Sequence, residues 1–131
     1  MSPSKSLTLV DDDEVFVFLT KKLIEQARTV HLLNVFENGL DALNFLRDNK
    51  NNAELLPDII LLDLSMPILN GWQFLEEYAK LYPTIGKKIL IYVCSSSISS
   101  HDINRAKSIN EVSDYVIKPI TIDKLRELVE I

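Results

Sequence analysis

The stretch "IILLDLSMPILNGWQFL" (59–75) contains the feature that decides the fold of this chain. Four apolar residues lead directly into the carboxylate of Asp63, and a proline, a glycine and a second apolar-rich segment follow. A near-continuous apolar run is typical of a parallel strand that is covered on both faces. We therefore predict a buried strand over 58–63 that ends in a charge, then a sharp turn, and then a helix over 71–81.

The same alternation of short apolar runs and helical patterns extends along the whole chain. The predicted strands are 6–10, 30–36, 58–63, 88–95 and 114–118. The predicted helices are 13–27, 39–48, 71–81, 100–109 and 121–130, and Thr121 is the expected N-cap of the last one. The polar stretch 49–57 is expected to be a loop. Five strand–helix units in succession predict an α/β protein with a doubly wound, five-stranded parallel sheet, in the order 2-1-3-4-5.

Three of the predicted helices carry apolar residues at helical spacing, which indicates a face that packs against the sheet. These residues are Val15, Phe18, Leu19, Leu23 and Ile24 in the first helix, Leu40, Leu43 and Leu46 in the second, and Trp72, Leu75 and Tyr78 in the third.

The length and composition limit the class of protein. The chain has 131 residues, of which 47% are hydrophobic, and we expect a single domain over residues 1–131. No apolar run approaches the roughly 20 residues needed to span a bilayer, and the first ten residues lack the features of a signal peptide. The only cysteine, Cys94, lies in the apolar run "ILIYVC" and is expected to be a small buried hydrophobe. We therefore expect a cytoplasmic protein.

The net charge argues against a nucleic-acid-binding surface. It is −5 at pH 7, and no basic cluster is larger than Lys87–Lys88. The sequence ends with the fifth predicted helix, so we expect a stand-alone domain.

Polar residues follow four of the five predicted strands. They are Asp11, Asp12 and Asp13 after the first, Asp63 after the third, Ser95, Ser96 and Ser97 at the end of the fourth, and Lys118 at the end of the fifth. In an open α/β sheet, ligands bind beyond the carboxyl ends of the strands, where the strand order reverses. These residues are therefore expected to meet in one pocket.

The residue types in this pocket indicate phosphoryl chemistry. Crowded carboxylates repel one another and need a compensating cation, and Mg²⁺ is the hard, oxygen-liganded ion that suits them. A hydroxyl, an ammonium and a metal ion together can hold the oxygens of a phosphoryl group. A carboxylate can itself act as the nucleophile, and Asp63 is the best candidate because of its central position.

Four motifs together resemble the receiver domain of two-component response regulators, of the stand-alone, chemotaxis-regulator type. They are "LVDDDEV" (9–15), "IILLDLSMPILNGWQFL" (59–75), "VCSSS" (93–97) and "DYVIKP" (114–119). The resemblance covers essentially the whole chain, and the set of motifs is specific in its order and spacing. It implies a flavodoxin-like fold and a signalling domain. It does not imply an enzyme beyond self-catalysed phosphotransfer and autodephosphorylation.

The resemblance also implies a phosphoacceptor and a metal site. Asp63 is the expected acceptor, forming an aspartyl phosphate in a Mg²⁺-dependent reaction. Asp12 is expected to coordinate Mg²⁺ directly, with Asp11 acting through water or as a second ligand. Asp63 and the backbone carbonyl of Ser65 are expected to complete the protein's share of the coordination.

The remaining residues of the motifs are expected to sense and transmit phosphorylation. Ser95 is expected to bond to the phosphoryl group, and Lys118 to pair with the acceptor carboxylate or its phosphate. Tyr115 stands at an aromatic switch position and is expected to move inward when the serine engages the phosphate. The segment between Ser95 and Lys118 is one residue longer than is usual in the family. If the additional residue lies before the fourth helix, Ser96 and not Ser95 would be the switch hydroxyl.

The resemblance implies partners as well. A sensor histidine kinase or a histidine phosphotransfer protein is the expected donor. A downstream protein is expected to contact the surface of the fourth helix, fifth strand and fifth helix. No direct contact with nucleic acid or a membrane is expected, and the expected state is a monomer or a weak, phosphorylation-dependent dimer.

Two alternatives remain at this point. Asp11 and Asp13 also fit the first motif of haloacid-dehalogenase-type phosphatases, with Asp11 as nucleophile and Asp13 as acid/base. That interpretation leaves Asp63 without a role. The other alternative is a degenerate receiver, an interaction module that is never phosphorylated.

Overall fold

Five strands alternate with five helices in the computed structural model, which describes residues 4–130. The strands are β1 (Lys5–Val10), β2 (Val30–Phe36), β3 (Ile59–Leu62), β4 (Leu90–Ser95) and β5 (Val112–Ile117). The helices are α1 (Glu14–Ala27), α2 (Gly39–Asp48), α3 (Gly71–Leu81), α4 (Ser100–Lys107) and α5 (Ile122–Val129). Short 3₁₀ turns cover Ala53–Leu55 and Tyr82–Thr84, and the first of them lies in the predicted loop 49–57.

The sheet is parallel throughout and has the order β2-β1-β3-β4-β5. This confirms the predicted doubly wound, flavodoxin-like α/β fold. The direction in which strands are added reverses between β1 and β3, which are hydrogen-bonded neighbours. The carboxyl ends of these two strands therefore flank the position at which such folds bind their ligands.

Two apolar cores lie on opposite faces of the sheet, because every central strand buries side chains on both sides. One core packs α2, α3 and α4 against the sheet, through residues such as Leu43, Phe74 and Ala106. The other packs α1 and α5, through residues such as Ile24 and Leu125. Burial of this apolar surface is the main favourable term in folding.

The helices start where the sequence offers capping side chains. Asp13 caps α1, and its Oδ1 accepts hydrogen bonds from the backbone N–H groups of Val15 and Phe16. Asn70 and Gln73 form a reciprocal capping box at the start of α3. Thr121 caps α5 as predicted, with its Oγ1 accepting from the N–H of Lys124.

The predicted buried face of α1 is right at its carboxyl end, where Ile24 is buried and Leu23 is half-buried, but wrong in the first two turns. Val15, Phe18 and Leu19 are 68%, 58% and 50% exposed, respectively. The buried residues of this helix are Phe16, Thr20, Ile24 and Ala27. Both sets are spaced by three or four residues, so each forms a stripe along the helix. The helix offers two stripes that contain apolar residues, and its packing against the sheet and α5 decides which one is covered.

The other two helices match their predicted faces more closely. In α2, Leu43 and Leu46 are buried as expected, whereas Leu40 at the first turn is 41% exposed. In α3, Leu75 and Tyr78 are buried, while Trp72 is only half-buried.

Trp72 is covered by a residue of the neighbouring helix. The guanidinium carbon of Arg105 in α4 lies 4.0 Å from the centroid of the Trp72 ring. This cation–π contact is a side-chain link between α3 and α4.

The amino end of β3 carries a structural charge cluster. The Oδ2 of Asp58 accepts from the backbone N–H of Ser6 at 2.8 Å and lies 3.3 Å from its hydroxyl. The Nζ of Lys87 lies 2.9 Å from Asp58 Oδ1 and donates to the carbonyl of Leu56 at 2.8 Å. Burial alone would raise the pKa of Asp58, but the Ser6 and Lys87 contacts outweigh it and lower this pKa.

Cys94 and the lengths of the helices agree with the sequence. Cys94 is 1% exposed, and burial raises the pKa of its thiol to about 12, so the group is an inert part of the core. Within residues 4–130, no helix is both long enough and apolar enough to cross a membrane.

Candidate functional site

The carboxyl edge of the sheet brings together the residues that follow its central strands. Asp63 is held next to β1, because its backbone N–H donates to the carbonyl of Val10 at 2.9 Å. Lys118 is held next to β4, because its N–H donates to the carbonyl of Ser95 at 2.8 Å. Asp11 directly follows β1. The predicted convergence of charged and hydroxyl groups is therefore present in the structure.

Three carboxylates form a compact acidic cluster at this edge. One oxygen atom each of Asp11, Asp12 and Asp63 lies within 4.8 Å of the other two. Asp11 and Asp63 are buried, whereas Asp12 is exposed. Asp13 serves a different purpose, since its carboxylate caps α1 and its N–H donates to Asp11 Oδ1 at 2.9 Å.

The fold disfavours a negative charge on Asp63. Burial raises the pKa of this carboxyl to about 6, and the charge of Asp11 acts in the same direction. Lys118 and the backbone amides of Ser65 and Leu64 oppose this rise but do not cancel it. The negative charge of Asp63 is thus only partly compensated, and a further cation next to it would be favourable.

Lys118 is the cation that lies between the two buried carboxylates. Its Nζ is 2.8 Å from Asp11 Oδ2 and 3.6 Å from Asp63 Oδ1. Burial lowers the pKa of Lys118, but the contact with Asp11 and the two negative charges outweigh it, so that the pKa is raised. One ammonium faces three carboxylates, and burial still raises the pKa of Asp11 despite the contact with Lys118.

The three serines after β4 have different environments. Ser95 is the last residue of β4 and is buried, and its Oγ accepts from the N–H of Ser97 at 3.1 Å. Ser96 is exposed. All three border an open cavity of about 400 Å³ that Ser65 also lines.

The pairing of β4 with β5 is irregular at one residue of β5. In the register between β4 and β5, Ile91 pairs with Val112 and Tyr92 pairs with Asp114, so Ser113 has no partner. This irregularity is a β-bulge, which inserts one residue into one strand of a pair. An insertion at this position leaves Ser95 next to β5, where it pairs with Ile117.

The turn between β3 and α3 is tight. A side chain at Gly71 would overlap the backbone of Asp63 and Leu64, and the N–H of Gly71 donates to the carbonyl of Leu64 at 3.0 Å. Ile68 adopts a left-handed conformation with φ of 69°, which is unusual for a β-branched residue. The glycine of "NG" is thus required by close approach of the chain to itself.

The match to a known family decides which family this chain belongs to. The model of the response regulator receiver domain matches residues 7–130. The chain belongs to this family. This membership replaces the phosphatase alternative, and the capping role of Asp13 agrees with that outcome.

Similar proteins support the family assignment. A two component response regulator from Cytophaga hutchinsonii superposes with a TM-score of 0.87 and 28% identity, covering 98% of this chain and 96% of that one. The response regulator Rcp1, solved in its Mn²⁺-bound form, gives a TM-score of 0.71 and 26% identity, with 96% and 89% coverage. The probable methanogenesis regulatory protein FilR2 of Methanothrix harundinacea is 29% identical over 124 residues, which are 95% of this chain and 78% of FilR2.

The receiver domain also matches longer proteins. It spans between 26% and 33% of the length of the protein-glutamate methylesterases that it resembles.

The receiver domain holds Tyr115 inside the fold. The side chain is buried, and its hydroxyl donates to the backbone carbonyl of Ser97 at 2.8 Å. The Ser97 hydroxyl in turn donates to Asp102 Oδ2 in α4, also at 2.8 Å. Tyr115 is therefore connected to both the serine loop and α4. The sequence did not predict the contact between Tyr115 and Ser97, because it joins a side chain to a backbone carbonyl 18 positions away.

The residues of the acidic cluster fit a divalent cation. Receiver domains in general bind Mg²⁺, and the oxygen atoms of Asp11, Asp12 and Asp63 are close enough to share one ion. The charge imbalance around Lys118 and the raised pKa of both Asp11 and Asp63 agree with a site that accepts further positive charge.

The sequence missed one contact of the receiver site. The ring of Phe16 lies below the Lys118 ammonium, with 4.4 Å between Nζ and the ring centroid. Phe16 is not among the residues predicted for the buried face of α1. No local signal distinguishes it from Phe18, which lies two residues further on.

Proposed function

We propose that this receiver domain is a phosphorylation-dependent switch in which Asp63 accepts the phosphoryl group. The observation that carries the proposal is the position of Asp63. Its carboxylate is buried at the end of β3, shares an acidic cluster with Asp11 and Asp12, and lies 3.6 Å from Lys118. A sensor histidine kinase or a histidine phosphotransfer protein is the proposed donor.

In the proposed step, a carboxylate oxygen of Asp63 attacks phosphorus while the bond from phosphorus to the donor histidine nitrogen breaks. The imidazole leaves with the electron pair of that bond. With a pKa of about 6, Asp63 is mostly ionised at neutral pH and can act as a nucleophile. Lys118 stabilises negative charge on a phosphoryl oxygen, and the Ser95 hydroxyl donates to another.

The proposed metal ligands are Asp11, Asp12, Asp63 and the backbone carbonyl of Ser65. The acidic cluster supports this assignment, as does the similarity to Rcp1, which was solved with Mn²⁺ bound. When bound, Mg²⁺ neutralises charge shared by the acceptor carboxylate and the phosphoryl oxygens. Asp11 and Asp12 would hold this ion next to the Asp63 carboxylate.

The proposed output runs through Ser95 and Tyr115 to the surface formed by α4, β5 and α5. The Ser95 hydroxyl accepts a hydrogen bond from the N–H of Ser97, so we propose that its engagement by a phosphoryl group on Asp63 moves the loop after β4. Tyr115 is tied to this loop through the Ser97 carbonyl, and Ser97 is tied to α4 through Asp102. A change at Asp63 is therefore passed on as a population shift of α4, which a downstream protein can recognise.

The buried position of Ser95 favours it over Ser96 as the switch hydroxyl. The irregular pairing at Ser113 supports an additional residue in β5 and not before α4. We propose no direct nucleic-acid contact, in keeping with the net charge of −5.

Incubation with acetyl phosphate and Mg²⁺ tests the proposed acceptor. Intact-mass measurement should show the addition of one phosphoryl group, which is lost at alkaline pH. Asp63→Asn should abolish the addition, and EDTA should prevent it in the parent protein. Asp48→Asn, which changes an exposed aspartate at the end of α2, is the matched control and should be labelled like the parent.

Two outcomes would contradict the proposal. If Asp63→Asn were labelled at Asp11 or Asp13, the assignment of Asp63 as the acceptor would be wrong. A parent protein that is labelled neither by acetyl phosphate nor by any histidine donor would be a degenerate receiver that acts as an interaction module.

A further inference from the structure

Phe16 is the aromatic residue whose ring face lies against the Lys118 ammonium. It lies on the first turn of α1 and is 6% exposed. Its backbone N–H is held by the Asp13 cap, and its side chain packs in the core shared by α1 and α5. The ring is therefore fixed in place by the helix and by the core, independently of Lys118.

The ring limits where the Lys118 ammonium can lie. Asp11 Oδ2 is 2.8 Å from Nζ, Asp63 Oδ1 is 3.6 Å away, and the ring centroid is 4.4 Å away. Asp11 thus holds the ammonium more closely than the proposed acceptor does. A phosphoryl oxygen on Asp63 would compete with Asp11 for the ammonium.

An aromatic face suits a cation that has to move between two partners. The attraction between an ammonium and a ring face comes from the ring quadrupole and does not need one fixed hydrogen-bond geometry. A third carboxylate would bind the ammonium too firmly. An aliphatic side chain would contribute no electrostatic attraction to a half-buried charge.

We propose that Phe16 is a positioning residue for Lys118, keeping the ammonium in the pocket while it moves from Asp11 to the phosphoryl group on Asp63. The proposal rests on the proposed function. Phe16 acts through Lys118 and does not itself touch the reacting atoms.

The test compares ring-containing and aliphatic variants at position 16. Phe16→Leu removes the aromatic face but keeps an apolar side chain, and Phe16→Tyr keeps the face. Phe16→Met, which fills more of the ring volume, is a second aliphatic variant in case Phe16→Leu does not fold. Phe45→Leu is the matched control, because it removes a partly buried ring that packs against the other core.

The first measurement is independent of phosphorylation. A proton above a ring face is shifted upfield by the ring current, so the ε-methylene NMR signal of Lys118 should be upfield in the parent. The shift should disappear in Phe16→Leu and Phe16→Met, return in Phe16→Tyr, and remain in Phe45→Leu. A Lys118 signal that is the same in Phe16→Leu and the parent would overturn the contact.

The second measurement is the rate of phosphorylation by acetyl phosphate at saturating Mg²⁺. Phe16→Leu should be phosphorylated about tenfold more slowly than the parent, the factor expected for loss of a partly desolvated cation–π contact. Phe16→Tyr should restore most of the rate, and Phe45→Leu should keep it.

The outcomes separate this proposal from the proposed function. If the parent and Phe16→Leu react equally fast while Lys118→Ala does not react, the positioning role is wrong and the acceptor assignment stands. If Phe45→Leu slows the reaction as much as Phe16→Leu, the effect is one of core packing, and the positioning role is again wrong. If the parent itself is not phosphorylated, the proposed function fails and the positioning role fails with it.

Discussion

Asp58 precedes β3 and Asp63 follows it, so one short strand separates two carboxylates with very different neighbours. Asp58 has the Ser6 amide, the Ser6 hydroxyl and Lys87 as partners, and its pKa is lowered. Asp63 has a second carboxylate beside it and only a share of Lys118, and burial raises its pKa to about 6. Each aspartate has a lysine nearby, but only Asp58 has enough hydrogen-bonding and charged partners to offset its burial.

The difference shows how a charge that stabilises the fold can be told from one that is held for chemistry. A structural carboxylate stabilises the folded protein, because its hydrogen bonds outweigh its loss of hydration. A carboxylate that must bind a cation and a phosphoryl group has to remain short of partners until they arrive. The two ends of β3 should therefore respond to mutation with opposite signs.

The largest expected effect on stability is at the amino end of β3. Asp58→Ala should lower the free energy of unfolding by about 2 kcal/mol, because the half-buried Lys87 ammonium and the Ser6 amide lose their acceptor. Urea unfolding followed by circular dichroism measures the change. The control is Glu76→Ala, an exposed carboxylate on α3. A loss no larger than that of the control would remove the distinction between the two ends.

A smaller effect of opposite sign is expected at the carboxyl end. In EDTA near neutral pH, Asp63→Asn should raise the free energy of unfolding by about 1 kcal/mol, because it removes a charge that the folded state disfavours. Asp48→Asn serves as the exposed control and should change the stability little. Destabilisation by Asp63→Asn in the absence of metal would show that Asp63 is as well satisfied as Asp58.

The smallest effect is the pH dependence of the changes in the free energy of unfolding that Asp63→Asn and Asp58→Ala cause. The folded-state pKa of Asp63 lies above the ordinary value of 3.8, so the charge penalty is absent below about pH 4 and develops as the pH rises through about 6. The stability gain of Asp63→Asn should therefore shrink to near zero on acidification from about pH 7 to about pH 4.

The stability change of Asp58→Ala should show no such dependence over the same range of pH. Its folded-state pKa lies below 3.8, so its contribution is present above that value and is lost only as the pH falls through the lower pKa. The deficit of Asp58→Ala should stay constant from about pH 7 to about pH 4. Unfolding curves of both variants across this range, in EDTA, test the contrast, and parallel pH profiles would refute it.

The sequence predicted the topology and the convergence of charged side chains at the carboxyl edge of the sheet, because both depend on local pattern. The order of strands and helices follows from apolar runs and helical periodicity. Asp11, Asp63 and Lys118 were found because each stands next to a strand end, and parallel strands bring those ends to one edge.

The amino-end cluster could not be predicted in the same way. Asp58 contacts Ser6 across 52 positions and Lys87 across a helix and a strand, and none of these residues stands out locally. A serine, an aspartate and a lysine near loops are common in any soluble protein.

The local sequence pattern could not predict the covered face of α1 or the bulge in β5, for a related reason. Phe16 and Phe18 differ by only two positions, and the choice between them depends on how α1 lies against α5 and the sheet. The unpaired Ser113 depends on how β5 aligns with β4, which the hydrophobic pattern alone does not specify to one residue.

The contact between Trp72 and Arg105 has a practical consequence for optical measurements. Trp72 is the only tryptophan of the chain, and it lies on α3 with the guanidinium of α4 4.0 Å from its ring centroid. All indole fluorescence therefore comes from one chromophore at the gap between these two helices. Any displacement of α4 removes or moves a positive charge next to that chromophore, so the emission spectrum reports the displacement without an attached dye.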